Sequence, residues 1–325
     1  AKRVEIKAEK REIKKPAELG AFLSSLFKPL GVRAIVASLP EERGYVEVLQ
    51  LPRVEDSQAL RSAIEAELPE HIPLDVREAL LDYEIIPAAD IKTRDSVTVD
   101  APSHIDAAVY AFPSDIAETY LRVFDDVGFE TLALEMETQA LARSLLPGGA
   151  SKEPVMIVDF GKTRTTLVIV AGSLVRYTST VSIAGESLDR ALAKALKVSV
   201  SEAETVKKEK GMVRGEANAA AFEALVPSVA AIADEIERLI LFWNSHAEHV
   251  HQSRPKISGV ILSGGDSNLS GFKEYLSQKL HVPVSHGNVW TNIASFDGYI
   301  PEIPFSQSLE FSATLGLALR AATGE

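Results

Sequence analysis

Cysteine is absent from the whole 325-residue chain. Its absence excludes disulfide bonds and thiolate metal sites, and it is compatible with a reducing compartment. No apolar run approaches the ~18 residues that would span a bilayer, and no signal-peptide pattern opens the chain. From these absences we expect a soluble, cytoplasmic protein or domain.

Basic residues are fewer than acidic ones. The chain carries 34 Lys and Arg against 46 Asp and Glu, which gives a formal net charge of −12. Such a charge disfavours non-specific nucleic-acid binding, so no nucleic-acid partner is expected. With 46% apolar residues, the chain is long enough for two compact lobes, each with its own core.

The common phosphate-binding motifs are missing, but two glycine turns are present. Neither turn is a Walker loop or the Gly-x-Gly-x-x-Gly pattern that opens a helix. Asp159-Phe-Gly161 follows an apolar run at 155–158, and Ser263-Gly-Gly265 follows another at 260–262. Glycine lets backbone N–H groups and hydroxyls approach a phosphate or a ribose closely. The two turns therefore predict one nucleotide held between two halves of the molecule.

The apolar periodicity predicts two lobes and an insertion. We expect a first lobe from residues 1–41 and 114–184, and an inserted α+β subdomain over 42–113. We expect a second lobe over 185–325, with a helical subdomain at about 199–256.

The first glycine turn is predicted at the apex of a strand meander over 155–183. A helix follows at 187–196, just after Gly185. Because helix N-termini and exposed N–H groups favour anions, phosphate affinity is expected where the turn and the helix start meet.

Five motifs occur in a fixed order along the chain: Asp159-x-Gly161 with Thr165-Thr166, Ile183-Ala-Gly185-Glu186, Ala203-Glu204 with Lys207 and Gly211, Ile261 to Phe272, and Leu315-Gly316-Leu317-Ala318. In this order they resemble the branch of actin-like proteins that contains FtsA and PilM, and the PilM family of type IV pilus assembly proteins is the closer match. The resemblance covers nearly the whole chain, and it depends on the order of the motifs because none of them is specific alone.

The resemblance implies a two-lobed actin-like (ribonuclease H-like) α/β fold that binds ATP or ADP with Mg²⁺ and hydrolyses it slowly or not at all. It implies that Glu204 and Lys207 contact the adenosine or the ribose, and that Asp159 holds the metal through water. The candidate nucleotide-binding residues are Asp159, Gly161, Lys162, Thr165, Thr166, Gly185, Glu204, Lys207, Gly264, Gly265 and Asp266.

The resemblance also implies a function in partner binding. It predicts a nucleotide-binding scaffold of the type IV pilus inner-membrane platform, cytoplasmic and held peripherally at the membrane by its partners. The partner would be the N-terminal cytoplasmic peptide of a PilN-like membrane protein, with other pilus platform proteins and self-assembly as further contacts. Such a peptide would become ordered on binding.

Two departures from the family pattern weaken the nucleotide prediction. The first phosphate loop, an Asp-x-Gly on the opening hairpin, does not occur before Val32, so we expect that hairpin to be missing and binding to be weak or absent. In the second loop, Lys162, Thr163 and Arg164 replace small residues, which widens the turn but adds two cations. A site that no longer binds nucleotide is the competing interpretation.

Ordinary structural roles stay open for the same residues. Asp159 is equally suited to capping a turn, and Thr165 and Thr166 to ordinary strand positions. Glu204 and Lys207 are one helical turn apart, where an i,i+3 ion pair is the default.

Two other functions also stay open. An FtsA-like membrane-associated filament protein of cell division would need an amphipathic helix beyond Glu325. An actin-fold small-molecule kinase would need the first phosphate loop and an acid placed on a substrate hydroxyl. No catalytic residue is identifiable from spacing.

Overall fold

The computed structural model describes residues 13, 15–54, 56–87, 104–246 and 255–324. The strands are β1 (Ala34–Leu39), β2 (Tyr45–Pro52), β3 (Ala79–Ile85), β4 (His104–Pro113), β5 (Glu130–Met136), β6 (Ser151–Phe160), β7 (Thr165–Gly172), β8 (Leu174–Val181), β9 (Val260–Ser263) and β10 (Val284–His286). The helices are α1 (Pro16–Phe27), α2 (Ser57–Glu67), α3 (Ser114–Asp126), α4 (Glu137–Leu145), α5 (Gly185–Leu196), α6 (Val200–Lys210), α7 (Ala219–His246), α8 (Phe272–Leu280), α9 (Phe305–Ser308) and α10 (Ser312–Thr323).

The largest sheet has five strands in the order β10-β9-β6-β7-β8. β6, β9 and β10 run parallel, while β6, β7 and β8 form the predicted antiparallel meander. Both faces of β6 and β7 are buried, since their alternate residues belong to two different core clusters. This explains why the two strands read as continuous apolar runs and do not alternate.

The predicted insertion contains a three-stranded antiparallel sheet in the order β2-β4-β3. One face packs on α2, with Leu49, Leu60 and Ile64 in its core. The other face contributes Val46 and Tyr110 to the core beneath the five-stranded sheet. The insertion therefore shares a core with the rest of the chain.

A third, two-stranded sheet pairs β1 with β5 in parallel. It packs against α1 and α3 through Val123, Phe124 and Phe129 and their neighbours. The last residues of β1 and β5 are paired with each other, and α4 begins directly after β5. α4 contacts β1 and β5 on one side and β8 of the five-stranded sheet on the other.

The five-stranded sheet crosses the lobe boundary predicted at residue 184. Residues 151–181 are hydrogen-bonded in one sheet with 260–286, so a first lobe that includes them would be cut from its own sheet. We therefore redraw the division and propose it before Ser151. Within the described ranges, no helix is long and apolar enough to cross a membrane.

Candidate functional site

The first glycine turn joins β6 to β7 within four residues. The Gly161 N–H donates to the Arg164 carbonyl at 3.0 Å, which closes the turn. Asp159 and Thr166 are cross-strand partners, and alternation puts their side chains on the face toward α4. Thr165 lies on the opposite face, so the structure separates it from Asp159 and Thr166.

The two threonines differ in what they contact. The Thr165 hydroxyl donates to the Ile183 carbonyl at 2.7 Å and is fully buried. The Thr166 hydroxyl is also buried, but it has no hydrogen-bond partner among the described residues. Thr165 therefore has the structural role that its strand position favoured, while Thr166 retains an unused hydroxyl beside Asp159.

The start of α5 does not offer the N–H groups that the sequence predicted. The Gly185 N–H donates to the Gly161 carbonyl at 3.1 Å, and the Glu186 N–H donates to the Lys162 carbonyl at 2.8 Å. The next two N–H groups bond to the carbonyl of Ala184. The expectation of an anion at this helix start loses its basis, because carbonyls of the first glycine turn accept from the N–H groups at the helix end; anion binding itself stays a prediction.

The second glycine turn follows β9 and lies against the backbone of β6. Gly264 has a φ of +83°, and a Cβ there would lie 2.4 Å from the Phe160 carbonyl oxygen. At Gly265 a Cβ would lie 3.0 Å from Cγ of Glu310. The sequence predicted a close approach of an adenosine at this turn, whereas the atoms that lie against Gly264 and Gly265 belong to the chain itself.

Lys207 lies at the centre of a buried ionic cluster. Its Nζ is 2.6 Å from Asp266 Oδ1, and it donates to the Gly185 carbonyl at 3.2 Å. Asp189 Oδ1 lies 3.0 Å away in an ionic contact that is not aligned as a hydrogen bond. Burial raises the pKa of Asp266, and the attraction of Lys207 opposes that rise. The cluster joins α5, α6 and the second glycine turn.

Glu204 is not the partner of Lys207. Its carboxylate accepts from Lys208 at 2.7 Å on the exposed side of α6, and this hydrogen bond lowers the pKa of Glu204. The predicted i,i+3 pair is therefore wrong, because Lys207 faces the interior while Glu204 and Lys208 face outward. Lys162 also lies within electrostatic range of Glu204, which brings the first turn close to α6.

Arg164 is a buried bridge between three parts of the chain. Its guanidinium contacts the carboxylates of Glu42, just after β1, and Glu137, at the start of α4. The expectation that Arg164 supplies a cation for phosphate is wrong, since two carboxylates already surround it. Sequence reasoning missed Glu42, because the stretch between β1 and β2 reads as a polar surface turn.

Glu41 was also missed, although it is only 3% exposed. Its Oε2 accepts from the Thr138 hydroxyl at 3.1 Å and from the Thr138 N–H at 3.4 Å. Burial is the main cause that raises the pKa of Glu41 to about 7; the charge of Glu137 contributes to this rise, and the hydrogen bonds from Thr138 oppose it. No local signal marks this residue, because its partner is 97 positions away.

The features that predicted a nucleotide are thus used by the chain itself. The space at Gly185, Gly264 and Gly265 is filled by its own atoms, and the N–H groups at the start of α5 are bonded to its own carbonyls. Lys207 and Arg164 are each held by two carboxylates. As they stand, these residues do not fit ATP or ADP.

The metal prediction stays untested. Among the residues that the structure describes, no three carboxylate or imidazole side chains are grouped so as to hold a metal ion. A role for Asp159 in holding Mg²⁺ through water therefore remains a prediction.

A second candidate site lies on the outer strand of the three-stranded sheet. In the described parts of the chain β3 pairs only with β4, so no described strand covers its other edge, which we call the open edge of β3. Leu80 and Ile85 on β3 are 48% and 53% exposed. Glu84 lies on the face turned toward the main body, where burial raises its pKa and the charges of Arg143 and Arg176 oppose that rise. This edge combines a strand border that no described strand covers, exposed apolar side chains and nearby charge of both signs.

Known proteins resemble this chain at the level of family and fold. A family model described as "Type IV pilus assembly protein PilM" matches residues 4–322. The cell division protein FtsA of Pseudomonas aeruginosa (strain PAO1) is 27% identical over 174 residues, which is 49% of this chain and 42% of that protein. The chain thus matches less than half the length of this relative.

Among solved structures, a "PilM-PilN type IV pilus biogenesis complex" matches with a TM-score of 0.73 at 21% identity, over 96% of this chain and 87% of that one. MreB5 of Spiroplasma citri bound to ADP matches with a TM-score of 0.48 at 15% identity, over 64% of this chain and 65% of that one. The likeness to the first structure confirms the predicted actin-like α/β fold.

Proposed function

Since the chain belongs to the PilM family of type IV pilus assembly proteins, we propose that it is a scaffold of the pilus assembly platform that docks the N-terminal cytoplasmic peptide of a PilN-like membrane protein. It would lie in the cytoplasm and be held at the inner membrane by this partner. Other platform proteins and further copies of the chain are additional contacts in this proposal. The similarity to a PilM-PilN complex supports the choice of partner.

The observation that carries the proposal is the open edge of β3. An extended peptide can add to an exposed strand edge through backbone hydrogen bonds, while side-chain pockets on alternate residues give specificity. Leu80 provides an apolar contact on one face of β3, and Ile85 provides one on the other. Asp82 and Glu84 share the face of Leu80, so a peptide with basic residues at alternate positions would be complementary there.

ATP or ADP with Mg²⁺ would be at most a weak ligand in this proposal. Lys207 and Arg164 are already paired with carboxylates, and phosphates would have to compete with those carboxylates for them. Docking a peptide needs no hydrolysis, so weak nucleotide binding is compatible with a scaffold.

Fluorescence anisotropy with a labelled N-terminal peptide of a PilN-like protein from the same organism tests the docking edge. We expect Leu80→Lys combined with Ile85→Lys to weaken binding about tenfold or more, because apolar anchors at an interface typically contribute ~1 kcal/mol or more each. The matched control is Leu241→Lys, which places the same charge on an exposed leucine of α7. Circular dichroism checks that each variant is folded.

Unchanged affinity in the folded double variant would exclude the β3 edge as the docking site. Failure of the unaltered chain to bind any such peptide would contradict the proposed function itself. An equal loss in Leu241→Lys would show that added positive charge, and not the lost apolar contact, weakens binding.

A further inference from the structure

Lys207 is enclosed by three acceptors, two on α5 and one on the turn after β9. Asp189 comes from α5, Asp266 comes from the turn after β9, and the Gly185 carbonyl comes from the start of α5. Lys207 is only 4% exposed, and Asp189 is 2% exposed. A buried lysine with one carboxylate would be electrically neutral, but this lysine has two, so the cluster carries an excess negative charge when both are ionised.

Asp266 and Gly185 are fitted to each other. A Cβ at Gly185 would lie 2.0 Å from Asp266 Oδ2 and 2.7 Å from Oδ1. The aspartate therefore occupies the space that the missing side chain leaves open. Glycine at this position had been expected to let a phosphate or a ribose approach; the Asp266 carboxylate, itself an anion, fills that place.

The surrounding charges do not compensate for this excess. Lys208 lies within electrostatic range of Asp266 and Glu310, but its ammonium is hydrogen-bonded to Glu204 on the surface of α6. Lys162 is likewise near Glu204. Carboxylates outnumber ammonium groups around the cluster, and a bound nucleotide would add further negative charge beside Asp266.

We propose that Asp266 is a built-in anion that holds Lys207 and excludes nucleoside di- and triphosphates from the site between the two glycine turns. A nucleotide would have to displace the aspartate from Lys207 before its own phosphates could replace it. The contacts of Lys207 that join α5, α6 and the second turn would thus be kept without a nucleotide. This inference concerns the predicted nucleotide site and not the β3 edge, so it can fail while the docking proposal stands.

Isothermal titration of the full chain with Mg-ATP tests the exclusion. We expect no saturable binding by the unaltered protein in the micromolar range. In Asp266→Ala, which opens the space beside Gly185 and releases one side of Lys207, affinity should rise about tenfold or more. Glu274→Gln is the matched control, since it removes one exposed acidic charge on α8 that has no contact with the cluster.

A second variant distinguishes the effect of the lost charge from the effect of the opened space. It also disturbs the packing less than Asp266→Ala does, so it is less prone to misfold. Asp266→Asn keeps the shape and removes the charge, and it should gain part of the affinity of Asp266→Ala. Adding Lys207→Met to Asp266→Ala should abolish the gain, because no lysine would then be available. Thermal unfolding with and without Mg-ATP provides a readout that does not depend on hydrolysis.

Micromolar binding of Mg-ATP by the unaltered protein would overturn the proposal. So would folded Asp266→Ala and Asp266→Asn proteins that bind no better than the Glu274→Gln control. A gain that persists after Lys207→Met would also overturn it, because Lys207 would then not be the group that Asp266 withholds.

Discussion

Glu41 carries a carboxyl group that the fold buries almost completely. One of its oxygens accepts hydrogen bonds from Thr138, and the other has no partner among the described residues. Burial raises its pKa from 4.5 to about 7, with Glu137 adding to the rise and Thr138 and Thr178 opposing it. The native state therefore holds a proton near neutral pH that the unfolded chain releases.

The sign of the resulting pH dependence follows from this difference. Between pH 4.5 and about 7 the native state binds more protons than the unfolded state, so the free energy of unfolding falls as the pH rises through this window. The loss should be roughly 3 kcal/mol, since one pKa unit corresponds to ~1.4 kcal/mol. Urea unfolding at several pH values measures it.

Glu41→Gln keeps the size of the side chain and cannot titrate. We expect the variant to lose less stability than the unaltered protein between pH 5 and pH 8. At pH 8 it should be the more stable of the two proteins. Parallel pH profiles for the two proteins would contradict the raised pKa of Glu41.

Particular residues show where sequence reasoning reaches its limit at this scale. The local pattern at Gly264 predicted the close approach of an adenosine, and the structure places another part of the backbone there, where only glycine tolerates the positive φ. The approaching atom, the carbonyl of Phe160, is 104 positions earlier and no local pattern identifies it. Glu41 was missed for the same reason, since its burial comes from α4 and not from its neighbours in sequence.

At the scale of elements, α4 and α10 make an unusually close contact. A Cβ at Gly316 in α10 would lie 1.9 Å from the backbone carbonyl oxygen of Ala140 in α4. Beside this contact, Glu135 accepts from Arg143 of α4 and Arg320 of α10, and Arg143 donates to the Gly316 carbonyl. The two helices are thus held together by a glycine contact and by a shared buried carboxylate.

Gly316→Ala tests this contact, because helix propensity and packing predict opposite signs for the change in stability. Helix propensity alone would stabilise the variant by ~0.5–1 kcal/mol, whereas a methyl group against a backbone should cost about 2 kcal/mol or more. We expect net destabilisation by thermal unfolding. Gly215→Ala is the control, since a Cβ there would meet nothing within 4 Å. A stabilised Gly316→Ala protein would show that the helices are not in close contact.

Local and non-local pairings of strands were predicted with unequal success. The meander of β6, β7 and β8 follows from consecutive apolar runs joined by short turns, and the structure has it where expected. The parallel pairing of β6 with β9 joins segments about a hundred residues apart, and nothing in either segment specifies its partner. The lobe boundary predicted at residue 184 stays a prediction, and we propose to move it because β6, β7 and β8 share one sheet with β9 and β10.

At the scale of the whole molecule, the insertion and the five-stranded sheet share a core. Val46, Ala108 and Tyr110 of the three-stranded sheet join Ile157 and Trp290 in one cluster. The other face of the three-stranded sheet has a separate core with α2. A defect placed in that separate core should therefore reach the five-stranded sheet through β2 and β4.

Ile64→Ala creates such a defect, because Ile64 is 1% exposed and packs only in the core under α2. Truncation of a buried isoleucine to alanine typically lowers the free energy of unfolding by about 2–5 kcal/mol. The experiment is done in a Trp243→Phe background. Because the chain has 2 tryptophans, Trp290 is then the only one left to report by fluorescence. Urea unfolding is followed by Trp290 fluorescence and by far-ultraviolet circular dichroism.

If the shared core makes unfolding cooperative, both signals should shift to lower urea together, with coincident midpoints. The reason is that β2 and β4 cannot leave the core of Val46 and Tyr110 without exposing the side of the five-stranded sheet on which Trp290 lies. An early change in circular dichroism with an unshifted Trp290 transition would show that the insertion unfolds alone. In that case the β3 edge would be presented by a separately stable module, and peptide binding there would stabilise the three-stranded sheet without stabilising the rest of the chain.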